Sequence, residues 1–420
     1  MRKRIIALII LVVSLFSFPG SISYATGKGQ AIITQAQGEA LLDQLLERQF
    51  EARTMGVIVD TSDIFAESPS TSHFNMYLDW CITGDVLLDT VWKDYTYDLY
   101  IKKATRNGND LDIAAIVSTD YTLAKNGLEC GQHDYAYNVT VTNTLDGLRI
   151  SKITTEEGIY SEFCMNILAV EKLSEARSRA EEIFIAAIED LEALAEEMEN
   201  FEYRVAIPDN KVTPPDPTRG TFTYNPTIGI NYANKYHTSY NTCFKSITED
   251  CTNFVSQCIW AAYGGWSSGD STQTMANNII DGITNGRRMN KNTNITKWFG
   301  HSNGHGNAWE SVENLWNFTT SNPSEGPKAT GYNNNALYTG IAPGSIFLGN
   351  VIQFWSSSLG RYRHSMYVVE RGSAPYTYAD VVVASHSSNG RYSLATKIAG
   401  WGGTSCKMRR LSFNSANFLK

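Results

Sequence analysis

The string Asp250-Cys251-Thr252-Asn253-Phe254-Val255-Ser256-Gln257-Cys258 sets a thiol at the start of an apolar helical stripe. Cys251, Phe254, Val255, Cys258, Ile259 and Ala262 recur at three- and four-residue steps, with Asp250 as a natural N-cap and Gly264-Gly265 as a natural stop. Cys251 therefore falls in a first turn, where the macrodipole and unpaired backbone N–H groups favour an anion. A thiol there gives up its proton more readily, and the thiolate is the reacting species. The same N–H groups stand where the oxyanion of a tetrahedral intermediate would form. The plainer role for a cysteine is a buried structural thiol. Cys258, deep in the stripe, fits that role; Cys251 at the helix mouth does not.

A thiolate nucleophile needs a base that is itself held in place. His364 opens the apolar run Met366-Tyr367-Val368-Val369, and His386 closes Val381-Val382-Val383-Ala384-Ser385. Pro375 lies in the turn between these runs, which fits an antiparallel pair with the two histidines side by side. In that arrangement His364 is the base and His386 or Asn389 the group that orients it, although either histidine could be an ordinary strand-end residue. His301 and His305 in HSNGH have metal-like spacing, but their loop is rich in Gly and Asn and brings no acidic or Cys ligand, so a solvated loop is the better reading. No metal or cofactor is expected. Seven of the nine tryptophans lie beyond residue 222; sugar stacking is open to them, though core packing accounts for most. His73 and His133 are isolated, and no nucleophile-elbow sequence supports a serine hydrolase.

These residues carry a family resemblance. DCTNFVSQC, preceded by YNPTIGINYANKYH and followed by PGSIFLGNVIQFW, RHSMYVVE and SHSSNGRYSL, resembles the putative amidase domain over about residues 222–420. That family is similar in turn to CHAP and NlpC-type cell-wall peptidases, which are papain relatives. The resemblance implies a papain-like fold, amide hydrolysis, Cys251 as nucleophile, His364 as base and His386 as third member. It points to cell-wall peptide or peptidoglycan as substrate. The usual Gly-Asp before the Val-Ile-Gln strand is Gly349-Asn350 here, a change expected to be structural. Two other readings stand beside it: an inactive envelope-binding module, and a transglutaminase-like acyl transferase.

A length of 420 residues suggests two or three domains. Arg2-Lys3-Arg4, apolar Ile5–Phe18 and Ser23-Tyr24-Ala25 read as a signal peptide over residues 1–25, so the mature protein is expected to be secreted, envelope-associated and not inserted in a membrane. Losing that segment removes three positive charges and takes the formal charge from -8 to -11. So acidic a chain gains nothing from nucleic-acid phosphates. Residues 30–166 read as a small α+β domain of cystatin-like or NTF2-like pattern: a helix over Gln37–Arg53, then period-two texture from about Phe74. Its strands are expected near Tyr95–Lys102, Asp112–Leu123, Tyr135–Thr144, Leu148–Thr154 and Tyr160–Phe163. Residues 167–205 form a long acidic helix, 206–221 a Pro-rich linker, and 222–420 the catalytic domain. The whole is α+β. Of seven cysteines, spacing favours at most one disulfide in each half, Cys243–Cys258 being one pairing to consider.

Overall fold

A computed structural model describes residues 32–157, 160, 163, 177–199, 219–247, 250–290, 298–374, 376–386 and 389–419. The signal peptide expected over residues 1–25 lies outside them, as does the linker up to residue 218. The described residues from 33 onward form one compact unit.

Helix α1 (Gln35–Met55) starts at a capping box between Thr34 and Gln37, and buries Leu42, Leu45, Leu46 and Phe50. A second helix, α2 (Pro69–Leu87), occupies the stretch where the period-two texture predicts strand. Its start was written in the sequence: Pro69 at the first turn, behind Ser68, whose side chain exchanges bonds with Thr71. The aromatic and β-branched residues that favour strand here bury Phe74, Tyr77, Leu78 and Trp80 in a helix instead. The meander follows as β1 (Trp92–Asn107), β2 (Asp110–Leu123), β3 (Glu129–Thr144) and β4 (Gly147–Thr155), each longer than its predicted core. Tyr160 and Phe163, expected in a last strand, are helical. Helix α3 (Arg177–Glu199) buries Ala187, Ile188, Leu191 and Leu194, and packs on α2.

Beyond residue 218 come β5 (Arg219–Phe222), α4 (Pro226–Tyr236), α5 (Cys251–Trp260), α6 (Thr272–Thr284), β6 (Gly300–His301), β7 (Gly304–His305), α7 (Asn307–Glu310) and α8 (Val312–Thr320). The remaining elements are β8 (Ala329–Tyr332), β9 (Val351–Ser356), β10 (Arg361–Arg371), β11 (Val381–Ser385), β12 (Gly390–Ser393), α9 (Leu394–Gly400), β13 (Met408–Phe413) and β14 (Ala416–Leu419). Helices and antiparallel ladders confirm the α+β class. Strands of both halves share one sheet, in the order β1-β2-β3-β12-β11-β10-β9-β13-β8, with β4 off this path and paired with β3. The seam is β3 against β12, where Gln132 pairs with Gly390 and Gly131 with Arg391. Strand β14 pairs with β5, so the end of the predicted linker is strand. Cys81, Cys130, Cys243, Cys251, Cys258 and Cys406 are thiols, not disulfides; Cys243 Sγ lies 3.5 Å from the Thr272 carbonyl instead of on Cys258.

Candidate active site

Helix α5 begins at Cys251, as its sequence pattern predicts, and ends in a π-turn through Gly264, whose φ of 86° needs glycine. The helix is buried on every side, not on one stripe alone. Its polar residues are all spent on neighbours. Thr252 Oγ1 donates to Ser365 Oγ at 3.0 Å, Ser256 Oγ to the Trp309 carbonyl at 2.7 Å, and Tyr232 OH to Gln257 Oε1 at 2.7 Å. Asn253 Oδ1 accepts from Trp309 Nε1 at 2.6 Å. The Cys251 thiol lies 3.7 Å from both Thr252 Oγ1 and the Arg363 carbonyl, and shares a small buried cluster with Val312 and Tyr362, on which Trp355 packs.

Asp250 stands at the N-cap position, but with αR backbone and no side-chain cap bond. Its carboxylate is used elsewhere. Oδ1 accepts from Ile247 N at 3.3 Å and Asn253 Nδ2 at 2.6 Å, while Oδ2 meets His386 Nδ1 at 2.6 Å. The His386 ring stacks on Phe254 with centroids 4.2 Å apart, and its Nε2 contacts the Tyr236 carbonyl at the end of α4. The structure therefore brings His386 to the head of the helix that Cys251 opens.

His364 goes elsewhere. In β10 the pairing of Ser365 with Gln353 and of His364 with Phe354 fixes which side chains share a face. Ser365 and Gln353 face α5, joined to each other at 3.1 Å and to Thr252. His364 and Phe354 leave the opposite face and both stack on Trp401, at 5.4 and 5.8 Å. Ser385, one residue before His386 in the chain, lies on that face too, with Oγ 3.3 Å from His364 Nε2. Burial pushes the His364 imidazole well below its ordinary pKa, and Lys397 and Arg363 push it the same way. The expected side-by-side pair of histidines does not form. Strand period two sends consecutive positions to opposite faces, and the match of Tyr367 with Ala384 puts Ser385, not His386, beside His364. Asn389, the alternative third member, meets His386 through its backbone N at 3.2 Å from the His386 carbonyl.

A buried arginine missed in the sequence supports the wall behind Cys251. Arg409 Nε donates to Gln353 Oε1 at 2.7 Å, and Nη2 to Glu313 Oε2 at 2.9 Å. Its guanidinium lies 3.7 Å from the Tyr362 ring centre and 4.4 Å from that of Trp316. Glu313 Oε1 accepts the Tyr362 N–H at 2.9 Å, and Gln353 Nε2 donates to the Val312 carbonyl at 3.1 Å. Two consecutive arginines in the otherwise apolar end of the chain, Met408-Arg409-Arg410-Leu411, were the available signal. Asn350 Oδ1 accepts from Phe347 N at 2.9 Å. His305 has an acidic neighbour after all, Glu310 Oε2 at 3.1 Å from Nδ1, and among the described residues no three His, Cys, Asp or Glu converge as metal ligands.

Residues 223–409 match the family model described as a putative amidase domain, the family resembled by the motifs around Cys251. The match suggests amidase-type hydrolase activity for this segment. No curated protein matches the chain. Among solved structures, the crystal structure of the Kfla4162 protein from Kribbella flavida aligns at 16% identity, covering 29% of this chain and 93% of that one. Its TM-score of 0.21 is too low to bear on the fold.

Proposed function

We propose that this amidase domain is cysteine-dependent, with Cys251 as nucleophile and His386, held by Asp250, as the group that exchanges the proton. The observation that carries the reading is the 2.6 Å contact of His386 Nδ1 with Asp250, the residue before Cys251. A carboxylate on Nδ1 fixes the ring and leaves Nε2 as the working nitrogen, the logic of an oriented base. At rest Nε2 faces the Tyr236 carbonyl, an acceptor, so a hydrogen bond there is donated by Nε2–H. His386 works as the base once Nε2 has given up that proton and turned from the carbonyl to the thiol as substrate enters, in keeping with catalytic hydrogen bonds that tighten only in the complex.

The chemistry then balances without a cofactor. The Cys251 sulfur adds to the amide carbon, the C=O pair moves to oxygen, and the first-turn N–H groups receive that oxyanion. The intermediate collapses to a thioester as the C–N bond breaks, and the amine leaves with the proton from His386. Water, deprotonated by the same imidazole, adds to the thioester; acid and thiol are released. We take the substrate to be an amide in cell-wall peptide and the protein to be exported. Support comes from the basic-then-apolar leader pattern of residues 2–18 and from the likeness of the motifs to wall peptidases, an analogy of family and not of geometry.

The test is incubation of the protein with purified peptidoglycan and mass analysis of released fragments, for wild type, Cys251→Ala, His386→Gln and His364→Gln. Loss of release in the first two variants, with retention in the third, supports the reading. A dead His364→Gln beside an active His386→Gln moves the base to the other face. Cleavage of simple peptide amides without release from peptidoglycan rejects the substrate while keeping the chemistry.

A further inference from the structure

His386 sits one residue past the end of β11, so no ladder bond of that strand fixes it. Besides the Phe254 and Tyr240 rings, three polar contacts hold it: Asp250 at Nδ1, the Tyr236 carbonyl at Nε2, and a turn in which Asn389 N donates to the His386 carbonyl. Two of these lead to the N-terminal half. Asn389 has φ of 43°, a left-handed backbone that asparagine adopts more readily than most residues. Strand β3 holds it in place: His133 N donates to the Asn389 carbonyl at 3.0 Å, and the ladder continues directly into Gly390 and Arg391. On the other side, the His133 ring stands edge-on to His237, with centroids 6.1 Å apart and planes at 85°. His237 caps α4 immediately after Tyr236, the residue whose carbonyl receives His386. Asp120 fixes the His133 ring in turn, at 3.0 Å from Nε2. His133 thus touches both segments that grip His386.

The seam leaves no slack. A Cβ on Gly390 would lie 2.4 Å from the Gly131 carbonyl, and one on Gly131 would lie 2.7 Å from that of Thr119. Main chain meets main chain, so a displacement of β3 is passed to Asn389 rather than absorbed by side chains. We infer that His133, together with the Gly131–Gly390 seam, positions His386, so the N-terminal half completes the active site of the C-terminal half. The inference rests on His386 being the working imidazole.

The test uses the full chain and reads the rate at which iodoacetamide alkylates Cys251, followed by fragment ions that place the label on Cys251 and not on Cys258 of the same peptide. His386→Gln should slow alkylation near pH 6 by about ten-fold, because the imidazole no longer takes the thiol proton. Gly390→Ala should shift the pH profile in the same direction and by a similar amount. His133→Ala, which leaves the backbone seam intact, should shift it the same way by less. The double variant Gly390→Ala/His386→Gln should be no slower than His386→Gln alone, since both act through one group. A merely structural seam would lower the melting temperature and leave the profile on that of wild type; that result in both seam variants overturns the inference. If Gly390→Ala does not fold, His133→Ala decides alone. If His386→Gln itself follows the wild-type profile, the reading of His386 has failed, and this inference with it, whatever the seam variants do.

Discussion

The two faces of strands β9–β11 put the same side chain, a histidine, to opposite uses. On the α9 face, His364 lies between Ser385 and the Trp401 ring beside Phe354, in surroundings that disfavour its charged form. On the α5 face, His386 meets a carboxylate and a carbonyl at the head of a buried helix. The first environment encloses an imidazole beside an indole; the second meets one with acceptor oxygens. Position along a strand does not separate the two roles, because a single step of register exchanges them.

The sharpest way to break this comparison is to remove the nucleophile. Cys251→Ala should abolish hydrolysis with the fold retained, as checked by activity and by circular dichroism. Next in size, His386→Gln should lower kcat by about 10²–10⁴-fold, the usual worth of a positioned acid–base group. His364→Gln should leave kcat within a few-fold of wild type; equal losses at the two histidines would erase the distinction between the faces. A smaller effect falls on stability. Cys258, fully buried in the same helix as Cys251, should cost about 1–2 kcal/mol when changed to Ala, read in urea unfolding, with Cys251 alkylation unchanged.

A last effect on stability, of similar size, concerns protons. Burial lowers the proton affinity of His364 in the folded chain only, so below its ordinary value of 6.5 the unfolded chain binds more protons. Stability therefore falls as pH drops through that value, by up to about 1.4 kcal/mol per unit for one such group. His237, lowered to about 4 by burial, and His73 add slopes of the same sign. His364→Gln should flatten the dependence by one group's share, seen by comparing melting at pH 7.5 and about pH 5 with wild type. An unchanged slope would place His364 in contact with solvent.

Much of this was readable from residue order, and what was not has a common cause. Helix α5, its opening at Cys251 and its stop at Gly264 follow from local spacing and glycine. The meander follows from Asn-Asp and Asp-Gly turn signals between alternating strands. The partner of His386 does not, because Asp250 looks like a cap, and only the tertiary placement of β11 against α5 turns its carboxylate to the ring. Helix α2 was hidden by aromatic residues whose strand preference gives way to burial against α1 and β4. Arg409 was hidden by distance in sequence: its partners Glu313 and Gln353 belong to other elements, and only the folded chain surrounds it with two rings and a carboxylate.

The seam between β3 and β12 also sets an order of events during folding. Strand β3 belongs to the first third of the chain and β12 to its last thirty-odd residues, so this ladder closes a loop that spans most of the sequence. Contacts of such separation form late, after the entropy of a long loop has been overcome. Until β12 arrives, Glu129–Gln132 present an unpaired strand edge, the kind that recruits strands from other molecules. A chain synthesised from its N-terminus would carry that open edge until almost all of it had emerged, so truncation near the C-terminus should produce aggregation that begins in the N-terminal half.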